Sequence, residues 1–193
     1  DRNIEPIKAV IKAGLARAAA RKKEEESKVA VSKSEANKAL SKKLEPARNT
    51  GPGSGAQLFI VEGDSAGGTV IEERDVDSQA VIPLRGKILN TWKAAPAKAM
   101  ANAEIVAMVT AMGTGVGADF DIEKRNYDQI IITSDQDPDG SHISCLILTA
   151  ILKYMPQLLV EGYVYRVMTP LYVNSFKSKP PRHTYSNRQQ KAF

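Results

Sequence analysis

The chain has 193 residues, with 27 Lys and Arg against 22 Asp and Glu, and a net charge of +5. That length suits one ordinary domain with extensions and excludes two large ones. A single cysteine, Cys145, and two histidines, His142 and His183, exclude a disulfide framework, a thiolate zinc site and a His-rich metal cluster.

The longest apolar stretch, Cys145 to Leu152, contains Thr149 and falls far short of a membrane span. No signal-peptide pattern is present. The chain begins at Asp1 and is expected to be a piece of a larger protein.

The charge is segregated. Residues 1–50 carry +6, residues 51–175 carry −6, and residues 176–193 carry +5 with no acidic side chain. An acidic body therefore stands between two basic arms. These three blocks are the expected organisation: a basic helical extension, an α/β domain and a basic tail.

In the first block Ile7, Val10, Ile11, Ala13, Leu15 and Ala18 recur at helical spacing with basic residues between them. Such a helix needs a neighbour to pack against, and a direct DNA-binding arm is the other reading. Residues 28–48 are weaker, interrupted by Ser32, Ser34, Asn37 and Ser41 and ended by Pro46. Asn49 to Gly55, rich in Gly and Pro, reads as a linker or surface loop.

Strands and helices then alternate. Gln57 to Val61 is a short continuous apolar run, as in a buried parallel strand, followed by a Gly-rich turn and a helix. Ala80 to Leu84 is a second strand. Asn102 to Met112 has helical spacing, and Gly113 to Gly117 reads as a flexible loop, since its G-x-G-x-G follows a helix and is no dinucleotide fingerprint. Gln129 to Thr133 is a third buried strand, Ser141 to Tyr154 a helix, and Tyr163 to Val173 a terminal strand broken near Pro170. The pattern predicts an α/β fold with a mainly parallel sheet. The tail from Phe176 is expected to be extended. Cys145 is expected in the core, and Trp92 and the late tyrosines are expected to serve packing.

The sharpest feature is Asp135-Gln136-Asp137-Pro138-Asp139-Gly140, directly after an apolar strand. Three carboxylates so close repel one another, resist burial and call for a cation. Oxygen ligands in this arrangement suit Mg²⁺. A calcium EF-hand is excluded, because its loop needs Glu at the twelfth position, where Leu146 stands, and a helix before it. A dehalogenase-type phosphohydrolase remains open, although Asp139 stands where that pattern has Thr or Val. So does an acidic turn with Asp139 near a helix N-cap.

Val61-Glu62-Gly63-Asp64-Ser65-Ala66-Gly67-Gly68 likewise follows a strand. It puts Glu62 at the carboxyl end, where parallel sheets bind ligands, and its small residues let a nucleic-acid backbone approach. Pro83-Leu84-Arg85-Gly86-Lys87-Ile88-Leu89-Asn90 places two cations about Gly86 at a strand exit, suited to phosphate or to screening carboxylates. His142 is the only ring base near the Asp triplet.

Together these three motifs resemble the signatures of type IIA DNA topoisomerases, most closely the B subunits of bacterial gyrase and topoisomerase IV. The resemblance implies a TOPRIM domain: a small, Rossmann-like parallel sheet flanked by helices, here with an N-terminal helical extension from the segment after the ATPase region. It implies that Glu62 is a metal ligand and general acid/base. Asp135 and Asp137 would hold the metal with Glu62, and Asp139 would bind or direct a second ion. Two Mg²⁺ are implied, with Mn²⁺ or Ca²⁺ able to substitute in binding. Asp64, Ser65, Arg85, Gly86, Lys87 and His142 would line the DNA or drug pocket.

The implied reaction is cleavage and religation of double-stranded DNA, in which a tyrosine becomes 5′-phosphotyrosine-linked. That tyrosine would belong to an A-type subunit or a fused winged-helix domain. The whole enzyme would be a heterotetramer or dimer, cytoplasmic, at the nucleoid or a viral replication site, with no membrane association. ATP would act only through a domain outside this chain. The chain alone is expected neither to cut DNA nor to hydrolyse ATP. Pro138, Ser144 and the acidic stretch Thr69 to Asp77 depart from the bacterial pattern and suggest a divergent member, of phage or viral origin. Other TOPRIM enzymes, such as primases and nucleases, lack the Pro83–Asn90 block. A non-catalytic DNA-binding module would not need all four carboxylates.

Overall fold

The computed structural model describes residue 40 and residues 43–177 and 179–192. The helix expected over residues 6–26, and most of residues 28–48, lie outside the described residues.

Four strands form one parallel sheet: β1 (Gln57–Glu62), β2 (Gln79–Leu84), β3 (Gln129–Thr133) and β4 (Val164–Arg166), in the order β2-β1-β3-β4. Helix α1 (Gly63–Glu73) joins β1 to β2. Helices α2 (Pro96–Met100) and α3 (Ala103–Met112) lie between β2 and β3, and α4 (Pro138–Tyr154) and α5 (Pro156–Val160) lie between β3 and β4. The chain steps from β1 to β2 on one side and then returns to place β3 on the other side of β1. Crossovers leave β1 and β3 in opposite directions, which opens a crevice at their carboxyl ends. Such a switch point is where open α/β sheets bind ligands.

The strands are apolar because both faces of the sheet are covered. Leu58, Ile60, Ile82, Ile130 and Ile132 are buried in one core with Ile105, Met108 and Met112 of α3. Helix α4 adds Ile143, Leu146, Ile147, Ala150, Ile151 and Tyr154, a stripe at helical spacing. Its rotation buries Ser144, which bonds Ser134 at 2.8 Å, and turns Cys145 to solvent. The expectation that Cys145 is a core residue is thus corrected: it lies off the stripe.

Edge strand β2 is covered by residues 43–49. Glu45 bridges Val81, Arg48 N–H donates to Val76 and Asn49 N–H donates to Asp77, while Ala47 is buried. The loop at 51–55 is tied down rather than free. The N–H groups of Gly53 and Gly55 donate to the Asp128 carboxylate at 3.0 and 2.8 Å.

In the loop at Gly113–Gly117 the Thr114 carbonyl accepts the Asp121 N–H at 2.8 Å. Thr114 is fully buried, Asn126 N–H donates to Met112, and the Asn126 amide donates to Ala111. Trp92 is 70% exposed, so it does not pack as expected.

The terminal strand expected over residues 163–173 is two strands in two sheets. After β4, β5 (Tyr172–Asn174) pairs antiparallel with β6 (Arg182–Thr184), and α6 (Asn187–Lys191) packs on them through Gln190, which bonds Asn174 and Thr184. The tail is therefore ordered into a hairpin and a helical turn instead of an extended segment, and the hairpin runs across the boundary drawn at residue 175.

Candidate metal and phosphate site

The apolar run of β1 ends at Glu62, and Gly63 turns the chain into α1. Gly63 has φ +78°, a left-handed conformation that a side chain would strain, which fits a glycine between strand and helix. On the neighbouring strand β3, Thr133 pairs with Val61, so the chain after it brings Asp135 beside Glu62.

The Asp triplet then starts α4. Asp137 is the N-cap and accepts the Gly140 N–H at 2.7 Å, and Pro138 occupies the first turn, where its missing donor is harmless. The cap itself is Asp137, and Asp139 lies near it in the first turn, as the acidic-turn reading allowed. Gly140 is buried against Asp135: a Cβ there would lie 2.3 Å from the Asp135 carbonyl oxygen. Glycine is required for this fold-back, which sets Asp135 over the helix start.

Glu62 is half-buried, and its Oε2 is buried without a hydrogen-bond partner. Burial raises its pKa above the ordinary 4.5. A backbone hydrogen bond from Asp135 opposes the rise, and the charges of Asp135, Asp137 and Asp139 add to it. Glu62 thus feels the charge of all three aspartates across the β1–β3 crevice. Asp135, Asp137 and Asp139 are themselves more open to solvent than Glu62 Oε2.

Cations close the other side. The loop after β2 carries Arg85, whose Nε donates to Asp64 at 3.1 Å, and Lys87, whose Nζ donates to Asp139 at 2.8 Å. Hydrogen bonding to Lys87, then its charge, lowers the Asp139 pKa, and His142, one turn along α4, adds to this. Glu104 of α3 anchors the loop, accepting from the Arg85 N–H and the Lys43 ammonium. Ser65 and Gly86 are exposed along the same edge.

Arg166, at the end of β4, was not singled out from sequence. Its guanidinium reaches the Ser141 hydroxyl at 3.5 Å, in the first turn of α4. Only its place at the carboxyl end of a fourth parallel strand identifies it, and the sequence placed no strand break there.

No three His, Cys, Asp or Glu side chains among the described residues are gathered closely enough to enclose an ion. The donor chemistry nonetheless fits Mg²⁺, which takes one or two carboxylates and completes its shell with water and phosphate oxygens. The unpartnered Glu62 oxygen is the position that such a cation would satisfy. No helix among the described residues is long and apolar enough to cross a membrane.

Comparison with known proteins agrees with this geometry. The Toprim domain family matches residues 57–168, from the first residue of β1 to just beyond β4. The chain is 47% identical over 166 residues to the B subunit of DNA topoisomerase 4 from Bacillus subtilis, covering 86% of this chain and 25% of the relative. It is 56% identical over 117 residues to the B subunit of DNA gyrase from Halalkalibacterium halodurans, covering 61% and 18%. It is 46% identical over 167 residues to the B subunit of the type 2 topoisomerase from Aquifex aeolicus, covering 86% and 21%. The chain thus spans a quarter or less of these relatives' length. The chain belongs to the Toprim domain family, and the Toprim regions it resembles are those of type IIA topoisomerase B subunits.

Proposed function

We propose that this chain is the ion-binding part of a type IIA topoisomerase, which cleaves and religates double-stranded DNA together with a tyrosine on an A-type subunit or fused winged-helix domain. The observation that carries this reading is the meeting of Glu62 with the Asp triplet at the β1–β3 switch point, with Glu62 Oε2 buried and unpartnered.

Glu62, Asp135 and Asp137 would hold a first divalent ion, and Asp139 would bind or direct a second. Bound there, Mg²⁺ supplies stabilisation of the charge that develops on the phosphate and on the leaving 3′ oxygen. Mn²⁺ or Ca²⁺ would substitute in binding.

Glu62 is suited to move a proton, since burial keeps its carboxyl protonated to higher pH than an exposed one. In cleavage the tyrosine oxygen bonds to phosphorus, the bond from phosphorus to the 3′ oxygen breaks, and that oxygen takes up a proton. Religation reverses each step. Arg85 and Lys87 are exposed cations beside the carboxylates, positioned to offset the repulsion between an acidic edge and a phosphate backbone. ATP hydrolysis and strand passage would belong to parts of the enzyme outside this chain.

The test uses the chain with supercoiled DNA and Mg²⁺, with and without a purified A-type subunit. Covalent cleavage is expected only with the partner, and Asp137→Ala should abolish it. Efficient cleavage by the chain alone, or unchanged ion binding by Asp137→Ala, contradicts the reading.

A further inference from the structure

Lys87 is bonded to a carboxylate that the proposed function assigns to a divalent ion. Its ammonium donates to Asp139 at 2.8 Å, while the neighbouring Arg85 turns to Asp64 instead. The two cations of one short loop thus have different partners: one holds the start of α1, the other holds the start of α4. Arg166, the third cation at this edge, makes no ion pair among the described residues and bonds only the Ser141 hydroxyl.

From this pairing, and resting on the ion-binding reading above, we propose that Lys87 is a tethered stand-in cation. It neutralises Asp139 while the divalent ion is absent. It is displaced when the ion arrives, and the freed ammonium then contacts a DNA phosphate. Ion loading and DNA grip are therefore coupled through a single side chain.

The physical basis is direct. A lysine ammonium is a point charge on a flexible four-carbon stem, so it can leave one anion for another by rotamer changes alone. Lys87 and Asp139 are both largely exposed, at 49% and 68%, so their pairing is screened and a divalent ion can compete with it. Like charges then separate Lys87 from the bound ion and leave the ammonium facing solvent beside Arg85.

The experiment titrates the full chain, stripped with chelator, with Mn²⁺ followed by electron paramagnetic resonance. Lys87→Met should bind Mn²⁺ about two- to fivefold more tightly than wild type, the competition expected of an exposed pair. Lys87→Arg, which keeps the charge, should stay near wild type, and Arg166→Met should change affinity less than Lys87→Met. Equal affinity in wild type and Lys87→Met overturns the exchange but leaves ion binding intact. Equal tightening by Lys87→Met and Arg166→Met also overturns it, because a general field would then suffice. No bound Mn²⁺ in any of these proteins defeats the ion-binding reading and the exchange with it.

Duplex binding gives the second readout. With Ca²⁺ the salt slope of Lys87→Met should be shallower than wild type by about 0.9, the loss of one phosphate contact, and in chelator the two slopes should coincide. A slope difference that persists in chelator means Lys87 was free from the start and overturns the proposal.

Discussion

At the amino edge of the sheet, Asp128 accepts the N–H groups of Gly53 and Gly55 and faces Arg125 at 3.2 Å. At the carboxyl edge, Glu62 keeps one buried oxygen without a partner and stands within reach of three like charges. Both carboxylates flank the same strand pair, β1 and β3. Burial pushes the Asp128 carboxyl up, but its hydrogen bonds and Arg125 outweigh that and hold the pKa below the ordinary value; for Glu62 burial and repulsion prevail. The amino edge satisfies its charge from within the chain and so closes a loop. The carboxyl edge leaves its charge to something from outside, as a site must.

The largest expected effect separates the two edges by function. Glu62→Ala should lower DNA cleavage by the assembled enzyme about 100-fold or more, the scale of losing a general acid/base, with the melting temperature of the chain hardly lowered. Asp128→Asn should do the reverse. It removes charge-assisted bonds to two backbone donors and to Arg125, and should cost about 1.5–3 kcal/mol of stability while Mn²⁺ affinity holds. Denaturant melts and cleavage assays on both variants check the pair. A Glu62 variant that unfolds, or an Asp128 variant that loses ion binding, breaks the comparison.

A smaller effect sharpens it at the carboxyl edge. Gly140→Ala drives a Cβ into the Asp135 carbonyl and should cost about 1–3 kcal/mol as overpacking. Because the displaced atom belongs to Asp135, Mn²⁺ affinity should fall as well. Gly68→Ala, in the middle of α1 where the added Cβ meets nothing within 4 Å, is the control: it should leave Mn²⁺ affinity unchanged and raise stability by up to about 1 kcal/mol.

The carboxyl edge was legible in the sequence and the amino edge was not. Glu62 directly follows an apolar run and Asp135 follows one after Thr133 and Ser134, and buried parallel strands end where such runs end, so both residues could be placed at one edge from local pattern. Asp128 carries no such sign. Its partners Gly53 and Gly55 lie in a stretch whose composition reads as a linker or surface loop, and only the folded sheet brings them within bonding distance. The same reason explains Thr114, buried in a glycine-rich loop and bonded through its carbonyl by the Asp121 N–H, a partner that local composition does not reveal. Cys145 and Ser144 differ in another way. Composition ranks cysteine as the more buried type, but the rotation of α4 is set by Ile143, Ile147 and Ile151, and that rotation buries Ser144. The tail needed its hairpin partner to be read at all, since β5 and β6 are three residues each and neither has a period long enough to detect.

The smallest expected effect is in the pH dependence of stability, and there the two edges should differ in sign. Asp128 has a depressed pKa in the folded chain, so its contribution is present above the unfolded value near 3.8 and is lost as pH falls through the folded value. Glu62 has a raised pKa, so its contribution is full below the unfolded value near 4.5 and is lost as pH rises through the folded one. In chelator, Glu62→Gln should therefore gain on wild type as pH rises from 4.5, and Asp128→Asn should lose its deficit as pH falls below 3.8. Melting curves across this range check both. Saturating Mg²⁺ adds a decisive arm, because an ion that binds the ionised Glu62 should cancel the upward-pH loss in wild type and leave the Asp128 limb untouched. A wild-type curve that ignores Mg²⁺ above pH 4.5 would mean that the open oxygen of Glu62 is no more a place for a cation than the filled one of Asp128.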